Sequence, residues 1–456
     1  MTTTDKKVVV IGSGIGGAAI AAMLSSRGYR VTVLEKLGYV GGRCCSRKRE
    51  GFTLDLGVHT FSQAGKGPLG EVIRQCGRDD TQLIEWSYTR NPTQKLSYMG
   101  SMVDFPHRID RLGADLENYR QIIRTIVTMS ESQALEMNHF GLKEWLSLHT
   151  SNQMIHNIFA YIAELYFIIP YWRASAGEFI RSMQAQAKNR ASGYPVGGCM
   201  VIPENYLKIV VDNGGEVCTR TKVNKIIFKN GKATGVVLDS NEIIKADVVI
   251  SNADPQITVL QLADDHHFPE EYIEKIKDIE FTAGAYLLKI ALKRKITDEK
   301  FIMHIGHPNA TEYLEMIEDG KVPERVNLMI PVISNFAPGT APDGCQLIIA
   351  GSFPAIKPNW EAWHRSVMLS VKDIFPDIED EILFVEDTSP ETVDKLMGEN
   401  GAVIGMAQSI DQVGSKRLNQ RTPIENLFIV GAEAGGWGIG TELAAMSALE
   451  LNAILP

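Results

Sequence analysis

The chain has 456 residues, of which 44% are hydrophobic and 22% are charged, and its formal net charge is −9. This length and composition predict a folded protein of two domains and exclude a disordered chain. The acidic balance argues against nucleic acid as a partner, because affinity for a phosphate backbone depends on clustered lysine and arginine.

Cysteines and apolar segments narrow the class further. The six cysteines have no CxxC or Cys/His spacing, so they predict neither a metal site nor a disulfide framework. The start, MTTTDKK, runs straight into a strand without the features of a signal peptide, so we expect a cytoplasmic protein. Residues 154–172 have the length of a membrane span but include His156, Asn157, Glu164 and Pro170, which are costly in hydrocarbon. Peripheral contact with a membrane surface stays open.

The first elements in chain order are a strand, a helix and a second strand. β-Branched runs at Lys7–Ile11 and residues 29–34 flank a segment of helical spacing at residues 15–27. Between the first strand and the helix stands GSGIGG, residues 12–17, which matches the GxGxxG motif, and Glu35 ends the second strand. This spacing predicts a dinucleotide site in which the helix N-terminus binds a diphosphate and the acid binds a ribose, with NAD and FAD both open.

The later elements are a hairpin at residues 94–105, a largely helical region from 110 to 189 and a run of shorter elements. A helix at 203–213 and strands at 216–219, 223–228, 233–238 and 247–251 come next. Three longer strands at 281–293, 325–334 and 345–353 predict a second sheet, and they precede a helix at 361–374, a buried strand at 426–430 and a closing helix at 440–451.

Two further segments add to the dinucleotide motif. After Glu35 the chain reads KLGYVGGRCCS, in which two glycines allow a close turn and Arg43 offers a planar donor fork to an anion. Without the preceding motif, this piece would be interpreted as a plain turn with a surface arginine. Near the C-terminus a buried strand ends at Gly431, Glu433 follows, and a glycine-rich turn leads to a helix that begins near Thr441.

Together these segments resemble the flavin amine oxidase superfamily. The resemblance implies that Arg43 meets the phosphate region of FAD, that Glu433 approaches its ribityl and diphosphate end, and that the closing helix directs its N-terminus at the isoalloxazine. Such a helix end stabilises the negative charge of reduced flavin. Many members carry Asp where this chain has Glu433. No cysteine lies in the C-terminal segment, so we expect FAD to be bound non-covalently.

The middle of the chain resembles the phytoene desaturase and carotenoid isomerase branch of that superfamily. The residues that carry this resemblance are YPVGG at 194–198, GGE at 214–216 and ADVVISNA at 246–253. The resemblance implies that Val223 places its backbone against the adenine. A hairpin and strand of no special role is the alternative.

Candidate catalytic residues are fewer, because a flavin carries the redox chemistry itself. His59 lies in FTLDLGVHT, residues 52–60, a stretch that in the superfamily runs alongside the isoalloxazine; it transfers a proton or simply hydrogen-bonds Asp55 or backbone. Glu164 is a candidate base within residues 155–172, which line a hydrophobic tunnel or form helix core. Trp437 stacks on the ring or substrate, or only packs.

We therefore predict an α/β fold with a discontinuous Rossmann-type FAD-binding domain and a substrate domain of mixed β-sheet and helices. The former comprises residues 1–70, 195–265 and 400–456, and the latter residues 71–194 and 266–399. The predicted cofactor-binding residues are Gly12, Ser13, Gly14, Gly16, Gly17, Glu35, Lys36, Gly42, Arg43, Gly57, Val58, His59, Val223, Gly431, Glu433, Gly438, Ile439, Gly440 and Thr441.

The predicted activity is that of an FAD-dependent oxidoreductase acting on an apolar small molecule. Desaturation, saturation or isomerisation of carbon-carbon double bonds, with hydride transfer at flavin N5, is the leading hypothesis. An amine oxidase or protoporphyrinogen oxidase-like enzyme is the alternative among enzymes, and a flavin-free lipid- or prenyl-binding escort protein is the alternative of another class. The pattern identifies neither the electron acceptor nor the oligomeric state.

Overall fold

Two large sheets organise the molecule, for which a computed structural model describes residues 5–57, 60–89, 94–354, 358–398 and 401–456. The strands are β1 (Lys7–Ile11), β2 (Arg30–Leu34), β3 (Ser46–Arg49), β4 (Phe52–Asp55), β5 (Trp86–Tyr88), β6 (Gln94–Tyr98), β7 (Ser101–Phe105), β8 (Gly193–Pro195), β9 (Glu216–Cys218), β10 (Val223–Lys229), β11 (Lys232–Leu238), β12 (Ile243–Lys245), β13 (Val248–Ser251), β14 (Tyr286–Leu292), β15 (Phe301–Ile305), β16 (Leu328–Pro331), β17 (Gln346–Ser352), β18 (Ile382–Thr388) and β19 (Leu427–Ile429).

Helices cover both sheets. They are α1 (Ile15–Ser26), α2 (Pro68–Gln75), α3 (Asp80–Leu83), α4 (Leu116–Thr128), α5 (Glu131–Glu136), α6 (Leu142–Ser147), α7 (Gln153–Phe167), α8 (Ala176–Asn189), α9 (Val201–Asp212), α10 (Glu270–Lys277), α11 (Ala310–Glu318), α12 (Ile333–Phe336), α13 (Trp360–Ile374), α14 (Pro390–Met397) and α15 (Gly440–Ile454). No helix in the described ranges combines the length and the apolar character needed to cross a bilayer.

The first sheet is parallel and has the strand order β19-β13-β1-β2-β9. Its strands come from three distant parts of the chain, as the discontinuous Rossmann-type prediction requires. Helix α1 packs on it with almost every residue buried, because its alanines and glycines keep the helix thin. A Cβ at Gly17 would lie 2.2 Å from the Gly12 carbonyl oxygen, so only glycine allows this close approach of helix to turn. The predicted α/β fold class is confirmed.

The second sheet is mixed and has the order β18-β14-β17-β16-β15-β6-β7. Only β15 and β6 run parallel, and the other neighbours are antiparallel. The sequence pattern predicted three of its strands as strands of this sheet and gave two of them too great a length. The strand predicted at 281–293 begins only at Tyr286, because Phe281 forms an isolated bridge with Met406 instead. The predicted strand at 325–334 ends at Pro331, which lacks the N–H that a ladder needs, and Ser334 lies in α12, where its hydroxyl accepts a bond from the Leu347 N–H at 3.0 Å.

Helix α7 explains how an apolar run can contain polar residues. Asn157 donates to the Pro308 carbonyl at 2.8 Å and accepts from the Ala310 N–H at 2.9 Å. His156 bonds the Thr150 carbonyl oxygen at 3.1 Å. The helix ends at Phe167, before Pro170. Asn157 and His156 therefore have local structural partners, while the apolar residues of the helix pack inward.

Candidate active site

A cavity opens at the carboxyl ends of the parallel strands β1, β2 and β13, and it extends towards the second sheet. Ligands of open α/β sheets bind outside these strand ends, where loops replace the ladder. The cavity has a volume of about 530 Å³ and is partly open to solvent. This volume lies within the roughly 300–1,000 Å³ that is usual for a ligand or cofactor site.

Most predicted cofactor residues line this one cavity. Those that do are Gly12, Ser13, Gly14, Gly16, Glu35, Lys36, Gly42, Arg43, Gly57, Val223, Glu433, Ile439, Gly440 and Thr441. Gly17, Gly431 and Gly438 belong to the same turns but are not among the described residues that line it. Val58 and His59 lie outside the described residues, so their assignment stays a prediction.

The first glycine turn is fixed by main-chain contacts. Gly12 has a φ of +92° and donates its N–H to the Leu34 carbonyl at 2.8 Å. A Cβ at Gly16 would lie 2.9 Å from the Gly431 Cα, and one at Gly14 would lie 2.7 Å from the Asn252 Oδ1. The turn therefore has no space for side chains on its inner side.

Asn252 joins the three strands that meet here, a role the sequence pattern did not predict. Its N–H donates to the Ile11 carbonyl and its side-chain amide to the Val430 carbonyl, both at 2.8 Å. These bonds link β13 to the ends of β1 and β19. Its position directly after a buried strand was the available signal, because polar residues at such strand ends meet at one edge of a parallel sheet.

Glu35 is 5% exposed and is oriented by three donors. Its Oε2 accepts from the Ser13 N–H at 3.0 Å and the Ser13 hydroxyl at 2.6 Å, and its Oε1 accepts from the Leu37 N–H at 2.8 Å. A carboxylate offers about four acceptor sites, so capacity for a ribose hydroxyl remains. Ser13 also receives the Gly41 N–H on its carbonyl at 3.1 Å, which ties the second glycine turn to the first.

Arg43 and Glu433 form an ion pair in the cavity wall. The Arg43 Nη2 lies 2.9 Å from the Glu433 Oε1, and its Nη1 donates to the Ala402 carbonyl at 3.2 Å. Glu433 is 4% exposed. A Cβ at Gly405 would lie 2.1 Å from the same Oε1, so glycine at that position makes room for the longer acid. The pair joins the N-terminal and C-terminal segments of the site.

Two helix N-termini reach the cavity without side-chain caps. In α1 the N-cap is Gly14 and the first turn contains no acidic residue, and in α15 the N-cap is Ile439. A Cβ at Gly440 would meet nothing within 4 Å, and that residue lines the cavity. Uncapped N–H groups and the positive ends of two helices therefore face one space, which suits an anionic ligand. These residues fit the diphosphate and the ring edge of a flavin dinucleotide.

Two buried acids that line the cavity, Asp254 and Glu442, were not predicted from the sequence. Burial raises the pKa of Asp254 to about 6, and nearby Glu433 acts in the same direction. Burial also raises the pKa of Glu442, although Ser62 and the Gln63 N–H, at 2.7 Å, donate to its carboxylate. The sequence patterns assigned no role to either acid. Only folding brings them to the cavity, beside the ends of β13 and α15.

The part of the cavity furthest from the glycine turns has apolar walls. Its residues come from α4, α7, α8, adjoining loops and the second sheet, and they are Phe105, Tyr119, Ile162, Leu165, Tyr166, Ile168, Met183, Ala285, Leu287, Phe301, Met303, Met329 and Phe353. Helix α7 combines the two alternatives predicted for it, the lining of an apolar space and helix core. One face lines the cavity, and the other, with Ile155 and Phe159, is buried core.

Glu164 lies on α7 but is not among the described lining residues. Its Oε2 accepts from the Asn327 amide at 2.6 Å, and its Oε1 has no hydrogen-bond partner among the described residues. Burial raises the pKa of this carboxyl to about 8, while the bond from Asn327 opposes the shift. Trp437 stacks against a protein group, since the Arg181 guanidinium lies 4.3 Å from its ring centre. Catalytic roles for Glu164 and His59 stay predictions.

Comparison with known proteins agrees with this geometry. The profile of the family described as "Flavin containing amine oxidoreductase" matches residues 15–450. A phytoene desaturase (neurosporene-forming) from Cereibacter sphaeroides is 25% identical over 477 residues, which cover 93% of this chain and 90% of the relative. A zeta-carotene-forming phytoene desaturase from Myxococcus xanthus is 25% identical over 496 residues, which cover 97% and 92%.

A solved structure supports the fold. An oxidoreductase from Methanosarcina mazei superposes with a TM-score of 0.75 at 21% identity, with 98% of this chain and 99% of that chain covered. Because the family profile spans nearly the whole chain, the resemblance predicted from the sequence is confirmed. The chain belongs to the flavin-containing amine oxidoreductase family, and within it the chain is a flavin-dependent oxidoreductase of the phytoene desaturase-like branch.

Proposed function

We propose that the protein binds FAD non-covalently and uses it to desaturate, saturate or isomerise carbon-carbon double bonds of an extended apolar molecule. The observation that carries this proposal is the continuity of one cavity from two uncapped helix N-termini to an apolar end. The first end matches a dinucleotide and the second matches a hydrocarbon substrate. The relatives named as phytoene desaturases support the same substrate class.

Each part of the cavity would then have a defined task. FAD, when bound, supplies hydride transfer at N5. Glu35 accepts hydrogen bonds from the adenosine ribose, and the N-terminus of α1 binds the diphosphate. Arg43, held by Glu433, adds a cationic donor fork near the phosphates. Val223, which lines the cavity, offers its backbone to the adenine.

The apolar wall would orient and desolvate the substrate. Side chains such as Leu165, Phe301 and Met303 exclude water from the reacting carbon atoms and hold an extended chain by contact alone. The residues from 1–70, 195–265 and 400–456 would form the cofactor domain, and the remaining residues would form the substrate domain.

Anaerobic bleaching of the flavin tests the function. The purified full chain is loaded with FAD and mixed, without oxygen, with partly saturated C30 and C40 polyenes in detergent and, separately, with a panel of primary and secondary amines. If the enzyme desaturates its substrate, we expect the oxidised-flavin absorbance to fall with polyenes and not with amines. For saturation, chemically reduced enzyme is expected to reoxidise on polyene addition, and for isomerisation the polyene geometry changes without net bleaching.

Other outcomes identify the alternatives. Bleaching by amines alone would overturn the proposal in favour of an amine oxidase, which the family name also covers. A protein that takes up no FAD on reconstitution would favour the flavin-free escort. Acid precipitation tests the linkage: we expect FAD in the supernatant, and yellow colour in the pellet would contradict non-covalent binding.

A further inference from the structure

The turn before α15 is held by side chains from elsewhere in the chain. This turn, residues 435–440, is called the glycine turn below. Its Gly435 carbonyl accepts from the Arg417 Nε at 2.5 Å, and its Gly436 N–H donates to the Glu450 Oε2 at 2.6 Å. Its Gly438 carbonyl accepts from the amide of Gln408 at 2.7 Å. Glycine-rich backbone is mobile by itself, so these bonds decide where α15 begins.

Glu178 brings helix α8 to the same turn. This acid is 3% exposed and its Oε1 lies 3.1 Å from the Arg181 Nη1. The Arg181 guanidinium in turn covers the Trp437 ring in the glycine turn. Burial raises the pKa of the Glu178 carboxyl, whereas the guanidinium groups of Arg181 and of Arg417, which bonds the glycine turn, lower it. The Glu178 Oε2 has no hydrogen-bond partner among the described residues.

The anchoring extends to the start of α8. The Ser175 N–H donates to the Gln408 carbonyl at 3.1 Å, and the Ser175 hydroxyl caps the helix by accepting from the Glu178 N–H. Gln408 therefore contacts both the α8 cap and the glycine turn. These surrounding hydrogen bonds distinguish the buried Glu178–Arg181 pair from an exposed ion pair. Exposed pairs contribute little to stability and have no fixed geometry.

We propose that Glu178 is a positioning residue: with Arg181 and Gln408 it fixes the glycine turn and thereby directs the N-terminus of α15 at the negative edge of the flavin. This inference rests on the proposed function, since the flavin is its target. Glu178 does not itself line the cavity among the described residues, so it acts through the turn. Its effect is electrostatic, because a helix end that faces reduced flavin stabilises the added negative charge.

The test combines one measurement without flavin and one with it. In the cofactor-free full chain, Glu178→Gln is expected to raise the hydrogen-exchange rate of amides in residues 432–443. In the FAD-loaded protein it is expected to weaken binding of reduced flavin about tenfold relative to oxidised flavin, as loss of a helix-dipole contact of that size would. That factor corresponds to a midpoint potential about 30 mV lower.

Two further variants complete the design. Glu117→Gln removes the acid of another i,i+3 pair, with Arg120 on the exposed surface of α4, and is expected to change neither measurement. Arg181→Lys keeps the charge but loses the planar guanidinium that covers the Trp437 ring, so it is expected to reproduce part of both effects. This variant replaces Glu178→Gln in the test if Glu178→Gln folds poorly.

Unchanged exchange in residues 432–443 would overturn the proposal, and so would faster exchange with an unchanged potential, since Glu178 would then be merely structural. A wild type that takes up no FAD would instead overturn the proposed function and, with it, the role towards flavin. In that case the exchange measurement alone would still decide whether Glu178 holds the turn.

Discussion

The two ends of the cavity are built from different parts of the polypeptide. At the dinucleotide end much of the wall is main chain: glycine turns at residues 12–16 and 41–42 pack so closely that an added Cβ meets backbone or the side chain of Asn252. At the apolar end the wall consists of side chains on rigid strands and helices. Backbone cannot rearrange to absorb an added atom, whereas side chains can repack. The first end is therefore expected to be rigid, and the second is expected to adjust its shape.

The largest expected effect comes from adding one carbon atom to the main-chain wall. A Cβ in Gly16→Ala would lie 2.9 Å from the Gly431 Cα and 3.1 Å from the Asn252 amide nitrogen, so α1 or β19 must shift. We expect the free energy of unfolding to fall by about 1–3 kcal/mol. Because FAD would bind against the same displaced turn, we expect its affinity to be about 10- to 100-fold lower. Urea unfolding and fluorescence titration with FAD measure the two effects.

Gly100→Ala is the matched control. Gly100 sits in the β6–β7 hairpin with a φ of +76°, and its added Cβ would meet nothing within 4 Å. The left-handed conformation costs alanine about 1–2 kcal/mol, so stability falls by a similar amount. FAD affinity should not change. If both variants lost FAD equally, general destabilisation would explain the loss, and the tight turn would have no special role.

A pH-dependent effect on stability is expected from a buried acid behind the apolar wall. The pKa of Glu164 in the folded protein is about 8, above its ordinary value of 4.5, so the folded state keeps a proton that the unfolded chain releases between these pH values. Stability from this group is complete below about pH 4.5 and is lost as the pH rises towards 8, by at most about 1.4 kcal/mol per pH unit. Glu164→Gln removes that slope and is expected to be more stable than wild type at pH 8.

Urea unfolding of the cofactor-free protein at pH 5, 7 and 8 measures this slope, with the exposed Glu117→Gln as the control. We expect turnover to be retained in Glu164→Gln, because the carboxyl bonds Asn327 and lies outside the described lining. Loss of turnover with unchanged substrate affinity would instead support the catalytic role predicted for Glu164 from the sequence.

The same contrast between the two ends explains what the sequence could predict. Glycine turns, Glu35 and Arg43 were recognisable because their chemistry depends on residue type and local spacing. The sequence also predicted that one domain is assembled from three segments of the chain, but it did not predict the order of strands in the parallel sheet. Asn252, Asp254 and Glu442 were not assigned roles, since their importance comes from the meeting of strand and helix ends that are far apart in the chain.

The second sheet was harder for a related reason. Its strand β18, with partly exposed residues throughout much of its length, lacks the apolar run that identified β14 and β17. The hairpin strands β6 and β7 were predicted, but nothing local indicates that β6 pairs in parallel with β15. The ion pair of Arg43 with Glu433 spans 390 positions, and no spacing rule reaches that far.

The smallest expected effect tests whether the apolar end is adjustable. Met303 lines the cavity from β15, and Met303→Leu keeps its volume, so we expect less than about 1.5 kcal/mol of lost stability and no change in FAD affinity. The KM for an apolar substrate is expected to change up to about tenfold, because the shape of one contact changes.

The adjacent Ile302 gives the control on the same strand. It is fully buried, and because side chains alternate along a strand it lies on the opposite face from Met303. Ile302→Leu is therefore expected to cost comparable stability without changing KM. An equal change in KM for both variants would mean that the strand responds as a whole, and that the apolar wall is not the substrate contact. A change confined to Met303→Leu would separate the two ends of the cavity by function, since FAD binding would be unaffected while substrate recognition changes.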